Sequence, residues 1–105
     1  MDYKVEFTES FLADLEQIVR NVAEVDSRAA KKLGEAIICR GEALAFFPER
    51  HPRVRQRPGL RRYIVATHYK VFYRLQSEAR VVEILRCWDG RRGTDPTISL
   101  GRLGN

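Results

Sequence analysis

Two carboxylates and five cations in the second half of this chain carry the residue types that phosphate chemistry needs. Glu83 and Asp89 lie close in sequence to Lys70, Arg74, Arg91 and Arg92, with Arg61 one predicted strand earlier. Metal-free cleavage of RNA requires a base for the ribose 2′-hydroxyl proton, cations for the pentacovalent phosphorane, and an acid for the departing 5′-oxygen. Glu83 or Asp89 would serve as base, and Arg61, Lys70, Arg74, Arg91 and Arg92 as phosphate clamps. The competing role for Glu83 is a cross-strand ion pair with Lys70 or Arg74, a structural contact of ~0.5 kcal/mol, and it is the first expectation. His51, in a Pro-rich loop, and His68, in a predicted hairpin turn, are the only histidines. Both read as surface residues, although His51, beside six arginines between residues 50 and 62, is within reach of a bound phosphate.

The elements that must position these groups follow from periodicity. Tyr3, Val5 and Phe7 alternate with Lys4, Glu6 and Thr8, which predicts a short strand with one buried face. Thr8 or Ser10 then caps a helix whose inner face reads Phe11, Leu12, Leu15, Ile18, Val19 and Val22, with Asp14, Glu16, Gln17 and Arg20 on the wet side. Asp26 and Ser27 start a second helix, with Ala29, Ala30, Leu33, Ile37, Leu44 and Phe47 inward and Pro48 as its stop. Gly34 and Gly41 lie seven apart inside it, which predicts close packing against the first helix. Pro48 to Gly59, with three prolines, reads as an irregular loop. Residues 61–66, 69–76 and 80–88 then form an antiparallel meander.

The fold class is therefore α+β: an N-terminal strand, an antiparallel two-helix hairpin, and a three-stranded meander with the helices on one sheet face. Regular alternation places Tyr69, Val71, Tyr73 and Leu75 on the helix-covered side with Val82, Ile84 and Trp88. Arg61, Tyr63, Val65, Lys70, Phe72, Arg74, Glu83, Leu85, Cys87 and Asp89 then face the other way. Arg86 falls on the covered side and needs a carboxylate partner, such as Glu35 or Glu42 or one supplied by another protein. Residues 1–92 form a single domain, and 93–105, rich in glycine, a flexible tail.

At 105 residues and 44% hydrophobic the chain supports one core. It has neither a ~20-residue apolar run nor a basic-then-apolar leader, so no membrane contact is expected. Cys39 and Cys87 lack the close spacing of a zinc site and read as free buried thiols; no metal or cofactor is expected. The net charge of +5 is unevenly spread: residues 1–49 carry 10 acidic and 6 basic groups, residues 50–105 carry 4 acidic and 13 basic. Arginine makes up 15 of the 19 basic residues, and its planar fork suits two-point contact with phosphate or carboxylate. An anionic partner for the C-terminal half follows.

The ordered set Val5-Glu6-Phe7, Phe47-Pro48, Gly59-Leu60-Arg61-Arg62, Tyr69-Lys70-Val71-Phe72-Tyr73-Arg74, Val82-Glu83-Ile84-Leu85-Arg86 and Trp88-Asp89-Gly90-Arg91-Arg92 resembles the RelE/ParE superfamily of toxins from bacterial type II toxin–antitoxin modules, over roughly residues 3–92. The resemblance implies a cytoplasmic growth-inhibiting toxin in a hetero-oligomer with an acidic antitoxin. One branch of the family cleaves messenger RNA on the ribosome and the other poisons DNA gyrase.

Where RNA-cleaving relatives carry His-Tyr or His-Arg near the last strand, this chain has Asp89, which has no proton to give near neutral pH. Two family arginine positions fall on Val65 and Lys70; only Arg91 or Arg92 matches well. The expectation is thus the ParE-like branch, with DNA gyrase as target. A ribosome-dependent endonuclease using Glu83, Asp89 and Arg91 is the alternative, and a bare nucleic-acid-binding module the third. Arg62, Arg86 and Trp88 are the expected antitoxin contacts.

Overall fold

Thr8 ends one element and starts the next. In a computed structural model that describes residues 2–98, its hydroxyl accepts from the Phe11 amide and caps helix α1, Glu9–Ala23, directly after strand β1, Lys4–Phe7. Asp26 caps helix α2, Ser27–Glu42, by accepting from the amides of Arg28 and Ala29. Strands β2 (Arg53–Val54), β3 (Arg57–Val65), β4 (Tyr69–Gln76) and β5 (Val81–Asp89) follow, and a 3-10 turn occupies Gly90–Arg92. One sheet results, in the order β1-β5-β4-β3-β2, with β1 parallel to β5 and the remaining pairs antiparallel. Among the described residues no helix is long and apolar enough to cross a membrane.

The α+β order agrees with the sequence, but the expected irregular loop Pro48 to Gly59 holds strand β2 and the start of β3, and three further local departures occur. Helix α2 stops at Glu42 and not at Pro48, and a 3-10 turn, Ala43–Ala45, follows it. Phe47, expected in the core, takes a left-handed φ of 55° and is 68% exposed. Of the glycine pair, Gly34 backs onto Val19 of α1, but Gly41 faces Phe7 of β1 and the Tyr63 hydroxyl. A side chain at Gly41 would meet the Phe7 ring at 2.9 Å, so the absence of a Cβ sets how closely α2 approaches the sheet.

Two backbone irregularities decide which side chains face the helices. The β3–β4 connection is three residues, Ala66-Thr67-His68, with Ala66 and Thr67 at φ 51° and 77°, so that Val65 pairs with Tyr69 and Tyr63 with Val71. One extra loop residue reverses the expected parity of β3. Tyr63 and Val65 lie in the helix-side core, and Leu60, Arg62 and Ile64 face away. In β5 the register slips between Phe72 and Tyr73 of β4, which pair with Arg86 and Ile84 and leave Leu85 as a bulge. Beyond it the alternation inverts. Cys87 therefore joins the helix-side core, while Trp88, expected there, moves to the opposite face.

The main core, around Phe11, Ile37, Leu44, Tyr63, Tyr73 and Ile84, lies between helices and sheet. Two of its three buried tyrosines have their hydroxyls satisfied by backbone: Tyr63 donates to Ile37 O at 3.0 Å and Tyr73 to Pro48 O at 2.7 Å. A second, smaller cluster on the far face joins Leu60, Phe72 and Ile98 with Val54, Leu85 and Trp88. Residues 93–98, assigned above to a flexible tail, instead cross this face with Pro96 and Ile98 buried. Arg57 donates to Ile98 O, Arg86 to Thr97 O and Trp88 to Thr94 O. The rest of the expected tail, 99–105, lies outside the described residues.

Candidate functional site

The end of the sheet where the β3–β4 turn meets the end of β5 brings together His68, Tyr69, Trp88, Asp89, Arg91 and Arg92. Gly90 holds the junction shut: its amide donates to His68 O at 2.7 Å, and a Cβ there would stand 2.7 Å from the same oxygen. Asp89 caps the 3-10 turn through the Arg91 amide and takes a two-point ion pair from the Arg91 side chain, at 3.0 and 2.8 Å. These hydrogen bonds, chiefly that of the guanidinium, pull the Asp89 carboxyl down to about 2. Arg91 also lies over the Tyr69 ring, and Arg92 over Trp88 with its guanidinium carbon 4.6 Å from the ring centroid.

The other predicted clamps are divided among structural tasks. Arg74 contacts Glu83 at 2.5 Å, and Gln76 donates to the same carboxylate oxygen at 2.6 Å, so Glu83 makes the cross-strand pair expected of it. Lys70 pairs with Asp95 of the crossing segment at 2.9 Å. Arg61, expected on the far face, is on the helix side and ties down the preceding loop by donating to Glu49 O and His51 O. Arg62, half-buried on the far face, and Arg92 make no ion pair among the described residues. The constellation of Arg61, Lys70, Arg74, Arg91 and Arg92 is thus not one site.

Arg86 has a partner that sequence reasoning missed. Its guanidinium makes two hydrogen bonds to Asp14 of α1, at 2.6 and 3.0 Å, and not to Glu35 or Glu42. The same carboxylate accepts from Cys87 N at 3.0 Å. Strand β1 covers β5 only from Val81 to Ile84, so Asp14 satisfies part of the strand edge that β1 leaves open. No sequence pattern separates Asp14 from the solvated residues of its helix. The pair raises the Arg86 pKa, through the hydrogen bonds first.

His51 packs on Tyr63 and Tyr73, with centroids at 5.3 and 6.3 Å; desolvation first, then Arg40 and Arg50, lowers its pKa. Of the cysteines, Cys87 is buried and its thiol is pushed up to about 12 by desolvation, whereas Cys39, expected to be buried, is exposed on α2. Among the described residues no group of three or more His, Cys, Asp or Glu is placed to hold a metal ion.

Between α1, the α1–α2 turn and the end of β5 lies a cavity of about 510 Å³. Asp14, Gln17 and Asn21 line one wall, Ile18 and Val22 add apolar surface, and His68, Tyr69, Asp89, Arg91 and Arg92 line the other. The His68 Nε2 atom is buried with no hydrogen-bond partner among the described residues.

A five-stranded sheet backed by a helix hairpin, with two arginines in the turn after its last strand, defines a small α+β fold. Residues 5–93 match the family model of the ParE toxin of the type II toxin–antitoxin system parDE, and the chain belongs to that family. Comparison with curated proteins gives no significant match. Among solved structures, the chain resembles one from the chromosomal ParDE system of P. aeruginosa, at TM-score 0.69 and 20% identity over 83% of this chain and 95% of that one. It also resembles a chain of the toxin–antitoxin complex RelBE2 from Mycobacterium tuberculosis, at TM-score 0.58 and 24% identity over 85% and 99%. A mutant E. coli toxin RelE in the free state matches at TM-score 0.64 and 16% identity over 88% and 87%.

Proposed function

We propose that this toxin inhibits growth by docking on DNA gyrase and is held silent by a cognate acidic antitoxin. The observation that carries the choice of mechanism is the state of the two candidate catalytic carboxylates. Glu83 is engaged by Arg74 and Gln76, and Asp89 by Arg91, so each proton acceptor is already paired with a cation of its own sheet or turn. A carboxyl held near 2 is a poor base and, being ionised, no acid. Stable binding to a protein asks for none of this chemistry. It uses instead the exposed Arg53 and Arg55 and the half-buried Arg62.

For the antitoxin the same arginines call for an acidic segment. Arg62 is the antitoxin contact this reading keeps foremost, because Arg86 is paired with Asp14 and Trp88 is covered in part by Thr94. The experiment is induced expression of the chain and of Glu83→Gln, Asp89→Asn and Arg91→Ala. Growth arrest with supercoiling defects in all four is the expected result. Ribosome-dependent cuts in a reporter transcript that disappear in the three variants would replace the gyrase reading with the endonuclease one.

A further inference from the structure

The cavity between α1 and the end of β5 is not used by the docking reading, and its walls are chemically divided. Three carboxylates line it, and each has a task within the fold: Asp14 holds Arg86 and Cys87 N, Asp26 caps α2, and Asp89 holds Arg91. Among the described residues Arg92 makes no ion pair and packs on the face of the Trp88 ring. Arg91 meets Asp89 through Nε and Nη2, and among the described residues its Nη1 makes no hydrogen bond. His68 lies in the same wall with its Nε2 buried beneath the surface. That wall therefore offers two guanidinium groups to an anion.

The opposite wall offers different chemistry. Gln17 and Asn21 stand one helical turn apart on α1, and Gln17 Nε2 donates to Asn21 Oδ1 at 2.9 Å. Their mutual bond orients both amides and leaves the Gln17 oxygen as an acceptor and the Asn21 nitrogen as a donor toward the opening. An acceptor and a donor side by side match the edge of a nucleobase, as paired amide contacts do elsewhere. Ile18 and Val22 supply apolar surface next to these amides, and Tyr69 is a further lining residue. A volume of about 510 Å³ lies within the range of small-molecule sites.

We propose that this cavity binds a nucleotide, its phosphate received by Arg92 and Arg91 Nη1 and its base by the Gln17–Asn21 amide pair against the apolar wall of α1. The proposal is independent of whether gyrase is the target. Arg92, Gln17 and Asn21 are all exposed, so their replacement leaves the core intact.

The test is a calorimetric titration, paired with amide NMR mapping, of the full chain with AMP, GMP, CMP, UMP, adenosine and inorganic phosphate. At least one nucleoside monophosphate is expected to saturate, with adenosine and phosphate each at least ~tenfold weaker because each engages one wall only. Arg92→Ala is expected to weaken the nucleotide ~tenfold or more. The double change Gln17→Ala with Asn21→Ala is expected to level the differences among bases while leaving phosphate binding unchanged. Three results would overturn the proposal: no saturation by any nucleotide at millimolar concentration, phosphate binding as tightly as every nucleotide, or shifts confined to the Arg50–Arg62 region.

Discussion

Replacing Asp14 tests whether one carboxylate really joins α1 to the open end of β5. Asp14→Ala removes two charge-assisted hydrogen bonds to Arg86 and the acceptor for Cys87 N, at 2.6, 3.0 and 3.0 Å. Both side chains of the pair are mostly shielded, 23% exposed for Arg86 and 17% for Asp14, so the contact is neither a surface pair nor a fully dry one. An unsatisfied strand amide costs ~1–3 kcal/mol, and the stranded guanidinium, which keeps Thr97 O and the Trp88 face, adds ~1 kcal/mol. The sum, ~3 kcal/mol, corresponds to a fall in Tm of ~12–24 °C for a domain of this size.

Asp14→Asn separates the parts, because its amide oxygen still accepts from Cys87 N while the charge is gone. It should lose roughly half as much. Thermal and urea unfolding followed by circular dichroism measure both, and a cycle with Arg86→Met isolates the coupling, expected at ~1–2 kcal/mol. A drop in Tm under ~3 °C for Asp14→Ala would show that the pair is an ordinary surface contact and that the β5 edge is satisfied by water.

Other outcomes follow from the same geometry. Gly41→Ala should destabilise by ~1–3 kcal/mol, since its Cβ would meet the Phe7 ring at 2.9 Å and the Tyr63 hydroxyl at 3.1 Å. Gly34→Ala, with a single 3.2 Å approach to the Val19 methyl, should come out within ~0.5 kcal/mol of the parent as helix propensity offsets the squeeze; denaturant midpoints compare the two. Asp89 has a depressed folded pKa, so the stability it contributes is full above the unfolded value of ~4 and is lost as pH falls through about 2. Asp89→Asn should therefore flatten the Tm profile of the parent between pH ~4 and 2, and parallel profiles would contradict the Arg91 pairing. A thiol reagent should modify Cys39 in the folded chain and Cys87 only after unfolding, read as one thiol against two by absorbance.

The helix hairpin, its capping candidates and the order of the main elements along the chain were legible because they rest on local signals. Thr8, expected with Ser10 as the alternative, and Asp26, expected alongside Ser27, are the residues that cap. The aromatic and β-branched runs of the meander identify strands whatever face they present. The Arg74–Glu83 pair was also within reach, since opposite charges on adjacent strands of a short hairpin have few other neighbours.

The faces were not legible, and the candidate site depends on them. Side chains alternate with a period of two, so the three-residue Ala66-Thr67-His68 turn and the bulge at Leu85 each reverse everything beyond them. Neither feature has a sequence signature here: the turn carries left-handed φ at Ala66 and Thr67 where glycine or asparagine would have announced it. Those two reversals send Tyr63, Val65 and Cys87 into the core and Trp88 out of it.

Composition and local pattern thus determined the order of the main elements and the excess of arginine in the second half of the chain, and the ordered motifs carried the family resemblance. Tertiary structure alone decided how those arginines are used. An ion pair such as Asp14–Arg86 joins residues 72 positions apart, and it is chosen by where α1 crosses the open edge of β5 and not by any spacing along the chain. The same crossing creates the cavity beside His68 and Arg92.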